Sequence, residues 1–164
     1  MSILSNIDIT NFSKYFKLPL IGVFSKDELP ISHKDGLYVV NMSNHDEEGT
    51  HWVCFGIEKG KCWYFDSYGV ACPLEIEKFL QKYKPIIYSQ KQIQKLNGTF
   101  CGWAVLLASY FMYHSKIKSI EKRYEQFLNV FDFDDQIFNE KVIHSLFNKI
   151  KSSHRKVVDK PIKL

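Results

Sequence analysis

Hydrophobic positions recur along this chain with two different periods, and the changes of period mark out its elements. Between Ser5 and Lys17, residues Ile7, Ile9, Phe12, Tyr15 and Phe16 fall near helical spacing, with Asp8, Thr10 and Asn11 as capping residues and Leu18-Pro19 as the stop. A first helix is predicted there. The stretch Ile21 to Pro30 reads as a short extended piece and turn, and Gly36 to Met42 as a β-branched and aromatic strand. The polar run Ser43 to Thr50 is a loop. Residues 51–57 and 62–66 are apolar runs joined by Glu58-Lys59-Gly60-Lys61, which suits a β-hairpin with a glycine available for a positive-φ position.

The second half turns helical. Pro73 suits the first turn of a helix through Leu74, Ile76, Phe79 and Leu80, and Pro85 to Tyr88 returns as a strand. Cys101 to Tyr113, Ser119 to Leu128 and Asp134 to Ile150 then carry helical periodicity with almost no β signal. The fold class is α+β, with strands concentrated in the middle of the chain.

Composition bounds this picture. At 164 residues and 45% hydrophobic content the chain has the size and apolar content of one domain, residues 1–164. Aromatics at 15% exclude a disordered or low-complexity protein. The stretch after Met1 lacks a basic region followed by an apolar one, and no later window approaches the ~20 apolar residues of a membrane span. A soluble, non-secreted protein without membrane contact is expected. Cys54, Cys62, Cys72 and Cys101 are spaced 8, 10 and 29 positions apart, which excludes a paired CxxC zinc layout and a dense disulfide framework. Reduced thiols, no metal and no cofactor follow. Charge is uneven: residues 141–164 hold seven Lys/Arg against Asp159 alone, a local +6, which leaves residues 1–140 at −2. This basic segment, with residues 150–164 as a frayed tail, makes DNA a candidate partner, against the plainer reading of a solvated helix end.

Four positions carry chemistry. Cys101 follows the loop Asn97-Gly98-Thr99-Phe100 and opens an apolar helix, so its sulfur sits at a helix amino terminus, where unpaired N–H groups and the dipole favour a thiolate. The alternative is an inert buried cysteine. Gly102 leaves a substrate close access, and Trp52 is placed with it on the substrate side. His51 opens a strand after the loop ending Glu48-Gly49-Thr50 and is the only one of six histidines with a carboxylate, Asp66, on the neighbouring strand of its own hairpin. As a base His51 takes the thiol proton and later protonates the leaving amine. Asp66 fixes the imidazole tautomer and stabilises the imidazolium, or else heads a plain turn Asp66-Ser67-Tyr68-Gly69. Gln94 lies seven residues before the cysteine and supplies, with the backbone N–H of Cys101, an oxyanion hole, or else is a surface residue like Gln90 and Gln92 within the same five positions.

The order His51-Trp52, Phe65-Asp66-Ser67-Tyr68-Gly69, Gln94, Cys101-Gly102 resembles the adenovirus-type cysteine endopeptidases, within a wider group that includes the SUMO-specific proteases. Ile21 to Pro30 resembles the amino-terminal segment of the adenoviral branch and of its relatives in virophages and Polinton-type elements. The resemblance covers residues 5 to 115. It implies a papain-like site in permuted chain order, with a small, mostly antiparallel sheet packed on a central helix that carries the nucleophile. It further implies cleavage of viral precursor proteins after small residues such as glycine, during particle maturation in the virion and host-cell interior, by a monomer. The runners-up are a SUMO or ubiquitin-like-protein deconjugating protease and a non-enzymatic DNA-associated virion protein. Two departures bear on these expectations. The adenoviral branch has glutamate where this chain has Asp66, and it joins an activating peptide through a cysteine near the position of Tyr83, where this chain has none. Disulfide-linked activation is therefore not expected at that position; Cys54, Cys62 and Cys72 are the alternative thiols for it, against their plainer role as small hydrophobes in or beside strands.

Overall fold

A computed structural model describes residues 1–158, with side chains to His154. Five helices surround a five-stranded sheet: α1 Asn6–Tyr15, α2 Leu74–Phe79, α3 Cys101–His114, α4 Ile120–Leu128 and α5 Gln136–Val158, with β1 Leu20–Ser25, β2 Gly36–Asn41, β3 Trp52–Glu58, β4 Lys61–Phe65 and β5 Ile86–Ile87. The class is α+β.

The strands lie side by side in chain order. β2, β3 and β4 pair antiparallel, but β1 joins β2, and β5 joins β4, in parallel. The sheet is therefore mixed, a correction to the mostly antiparallel one expected. The cause lies in the connections: residues 26–35 return the chain to the starting end of β1 before β2 begins, and α2 does the same between β4 and β5. Only the β3–β4 link is a tight turn, with Lys59 and Gly60 both at positive φ (49° and 82°), the twist-matched geometry of a two-residue hairpin.

Strict alternation gives the sheet two buried faces. Leu37, Val39, Trp52, Cys54, Trp63 and Phe65 face the larger core with α1, α3, α4 and α5. Tyr38, Val40, Val53, Phe55, Ile57, Cys62 and Tyr64 face a smaller one with Ile76, Phe79 and Leu80 of the α2 segment. α3 is apolar nearly all round and is buried from Cys101 through Ser109, as a helix enclosed by other elements must be. It lies against β3 with α1, α4 and α5 about it.

Local signals explain most boundaries. α1 is closed by a capping box in which Ser5 Oγ accepts from the Asp8 N–H while Asp8 accepts from the Ser5 N–H. Ser119 caps α4 with its side chain alone, Oγ accepting from the Lys122 N–H. α5 continues to Val158, eight residues beyond the end expected at Ile150. Lys141, Lys149 and Lys151 of the basic segment lie on it. The side chains of Arg155 and Lys156, and residues 159–164 with Lys160 and Lys163, fall outside what is described. Among the described residues, no helix is long and apolar enough to cross a membrane.

Candidate active site

β3 starts and β4 ends at the same edge of the fold, and α3 starts there too. Cys54 pairs with Phe65, so one further step along the ladder sets Asp66 opposite Val53, two residues from His51 on the same face. The diagonal is closed by a hydrogen bond: His51 Nε2–H donates to Asp66 Oδ1 at 2.7 Å. Both groups are buried, at 8% and 5% exposure. A carboxylate so enclosed is tolerated only with partners, and Asp66 has a second, the N–H of Tyr68 donating to the same oxygen at 2.8 Å.

The turn alternative for Asp66 is also realised. Gly69 N–H donates to the Asp66 carbonyl at 3.0 Å, and Gly69 has φ +70°, where any Cβ would meet Gln90 O at 2.7 Å. The turn is thus glycine-dependent and throws Tyr68 back over the imidazole, ring centroids 4.1 Å apart and 15° from parallel. An imidazolium against that π face is stabilised further.

Cys101 is the first residue of α3, preceded by Phe100, which offers no capping side chain. The Gly102 N–H of that first turn is left to the sulfur. Burial raises the Cys101 pKa, but His51 and the backbone groups of Trp52 and Gly102 favour the thiolate, and the balance falls below the ordinary thiol value. For His51, burial favours the neutral ring, yet Asp66 and Cys101 together outweigh it and hold the imidazole up at about 9. The other ring nitrogen, Nδ1, is buried without a hydrogen-bond partner. This arrangement can hold a thiolate–imidazolium pair near neutral pH.

Gln94 is fully buried, not a surface residue. Its Oε1 accepts from Ser67 Oγ at 3.0 Å, its backbone N–H donates to Ser67 O at 3.1 Å, and its Nε2 donates to Gly98 O at 3.4 Å. The side chain is fixed between the turn that carries Asp66 and the loop that leads into Cys101. The structure therefore brings His51, Asp66 and Cys101 together and holds Gln94 beside them.

Trp52 and Gly102 meet an element that sequence reasoning missed. The backbone of residues 1–5 runs past α3 as a strap: Trp52 Nε1–H donates to Leu4 O at 2.8 Å and Trp103 Nε1–H to Ser2 O at 2.8 Å. Leu4 is buried against Gly102, where an added Cβ would stand 3.0 Å from Leu4 Cβ. The space left by the glycine is taken by the chain itself. Trp52 and Cys101 line a groove of about 420 Å³ whose walls include Ile3, Leu4, Val23 and Phe24. The strap had no legible signal, because residues 1–5 carry no period. Tyr68 and Ser67 do have one, the β-turn Asp66-Ser67-Tyr68-Gly69, whose inner residues must point somewhere.

No protein-family model matches the chain, and no curated protein is significantly similar to it.

Proposed function

We propose that the protein is a cysteine endopeptidase in which Cys101 is the nucleophile, His51 the acid and base, Asp66 the orienter and Gln94 an oxyanion donor. The observation that carries this reading is the chain of buried polar groups: Asp66 Oδ1 bound to His51 Nε2 at 2.7 Å, Nδ1 unpartnered, and the one cysteine with a lowered pKa beside the ring. A helix bearing the cysteine, packed on a sheet bearing the histidine and acid, supports a papain-like arrangement reached in the order His, Asp, Cys.

The steps follow from the groups present. The Cys101 thiolate attacks the scissile carbonyl carbon; the oxyanion formed is met by the backbone N–H of Cys101 and by the Gln94 amide. The His51 imidazolium gives its proton to the leaving amine, which departs and leaves a thioester. The now neutral imidazole takes a proton from water, hydroxide adds to the thioester carbon, and the acid is released with the thiolate restored. Asp66 keeps the ring in the tautomer and orientation that both transfers need.

The substrates proposed are viral precursor proteins, cut after small residues such as glycine during particle maturation, with DNA as a candidate partner through the lysines of α5. The test is cleavage of a capsid or core precursor and of a SUMO fusion by the native chain and by Cys101→Ala. The expected result is precursor cleavage that Cys101→Ala abolishes, with the fold retained. Robust processing of the SUMO fusion beside an inert precursor reassigns the substrate, and undiminished cleavage by Cys101→Ala removes the mechanism.

A further inference from the structure

The groove that ends on Cys101 has a charge opposite to that of the chain. The protein carries +4 overall. Among the described residues, however, the groove is lined by two carboxylates, Glu28 and Glu47, and by no lysine, arginine or histidine. Both are solvent-exposed. Neither has an ion-pair partner among the described residues. Glu47 Oε2 accepts from the Asn44 N–H at 2.9 Å, which fixes the carboxylate on its loop without neutralising it. The loop carrying Glu28 is tied to the loop carrying Glu47 by His45, whose backbone N–H and Nδ1–H donate to Asp27 at 3.0 and 2.7 Å. The two charges are thus held on one rim.

The remaining walls have a different character. Leu4, Val23 and Phe24 are apolar, and at the end of β2 lies Asn41, only 8% exposed. Asn41 Oδ1 accepts from the N–H groups of Ser43 and Thr50, at 3.0 and 3.3 Å. Its Nδ2 has no hydrogen-bond partner among the described residues. Gly49 keeps that nitrogen open, since a Cβ there would stand 2.8 Å from it. Asn41 is thus fixed through Oδ1 while Nδ2 stays open to the groove, where it can donate to an acceptor that enters. An apolar wall beside an acidic rim calls for a side chain with an apolar stem and a cationic head.

We propose that this groove binds the substrate polypeptide through a lysine or arginine close to the bond that is cut. Its stem lies along Leu4, Val23 and Phe24, its charge meets Glu28 and Glu47, and Asn41 Nδ2 donates to a neighbouring backbone carbonyl. The inference rests on Cys101 being the nucleophile, and names the charge class of the segment that reaches it.

The test uses Cys101 itself as the reporter. Its modification rate is measured by peptide mapping with two methanethiosulfonates, one bearing a trimethylammonium group and one a sulfonate, each divided by its rate with 2-mercaptoethanol. At low salt the cationic reagent is expected to be favoured by roughly tenfold, falling steeply as ionic strength rises. In the Glu28→Gln/Glu47→Gln double variant the preference is expected to fall towards one; both positions are exposed, so the fold is not at stake. A ratio of one or less in the native chain, or a preference that survives the double substitution, overturns the proposal. Neutral iodoacetamide separates the two claims. Fast alkylation of Cys101 with no charge preference sinks the groove inference alone, and slow alkylation with the preference intact sinks the nucleophile and leaves the groove.

Discussion

Cys101 and Cys54 belong to one hydrophobic core and differ in almost everything that matters to a thiol. Cys54 sits in the middle of β3, wholly buried, accepting weakly from Ser109 Oγ at 3.8 Å and donating to Val105 O at 3.9 Å. Burial is the main influence on it and drives its pKa far up. Cys101 sits one helical turn before Val105, at the open end of the same helix, nearly as buried. There burial acts in the same direction but is outweighed by His51 and by backbone groups. The difference teaches that desolvation alone does not set a thiol's acidity; the position on the helix and the partner can outweigh it. Cys62, pushed up to about 11 by burial, and Cys72, also raised by burial, fall on the Cys54 side of this divide.

The contrast can be attacked from several sides. The largest effect is expected from His51→Ala, which removes the group that most favours the Cys101 thiolate: loss of a general base costs about 10²- to 10⁴-fold in turnover, read from substrate cleavage. Cleavage should also be bell-shaped in pH. It rises as Cys101 loses its proton, below the ordinary thiol range, and falls as His51 loses its own at about 9. Asp66→Asn keeps a partner for the ring but removes its charge. A fall in cleavage rate of about 10- to 100-fold is expected, the equivalent of the ~1.5–3 kcal/mol of a hydrogen bond to a charged group. The smallest effect belongs to Cys54→Ala. It should lower unfolding stability by about 1 kcal/mol in denaturant titration and leave cleavage unchanged. A cleavage defect as large as that of His51→Ala would erase the distinction between the two cysteines.

The same division separates what the chain reveals by itself from what it does not. The β3–β4 hairpin was legible because Lys59-Gly60 is local turn chemistry between alternating apolar runs, and the start of α3 because a polar loop gives way to an unbroken apolar helix. His51, Asp66 and Cys101 were legible as a set because the hairpin fixes two of them and the helix start fixes the third. The direction of β1 and β5 was not, since it depends on where long connections deliver the chain and on no residue within the strands. Gln94 looked like one of several surface glutamines; only Ser67 and Gly98, brought to it by the fold, bury and orient it. Leu4 and the strap were invisible for the same reason. Their partners, Trp52 and Trp103, are 48 and 101 residues from the atoms they bind.

The most direct test of the account is site-resolved iodoacetamide labelling of all four cysteines across pH, in the native chain and in His51→Ala. Cys101 is predicted to react much faster than Cys54, Cys62 and Cys72 at neutral pH, with a midpoint below that of an ordinary thiol that moves upward when His51 is removed. Equal or absent reactivity at all four, or a Cys101 profile indifferent to His51, would contradict the assignment of Cys101 as an activated nucleophile.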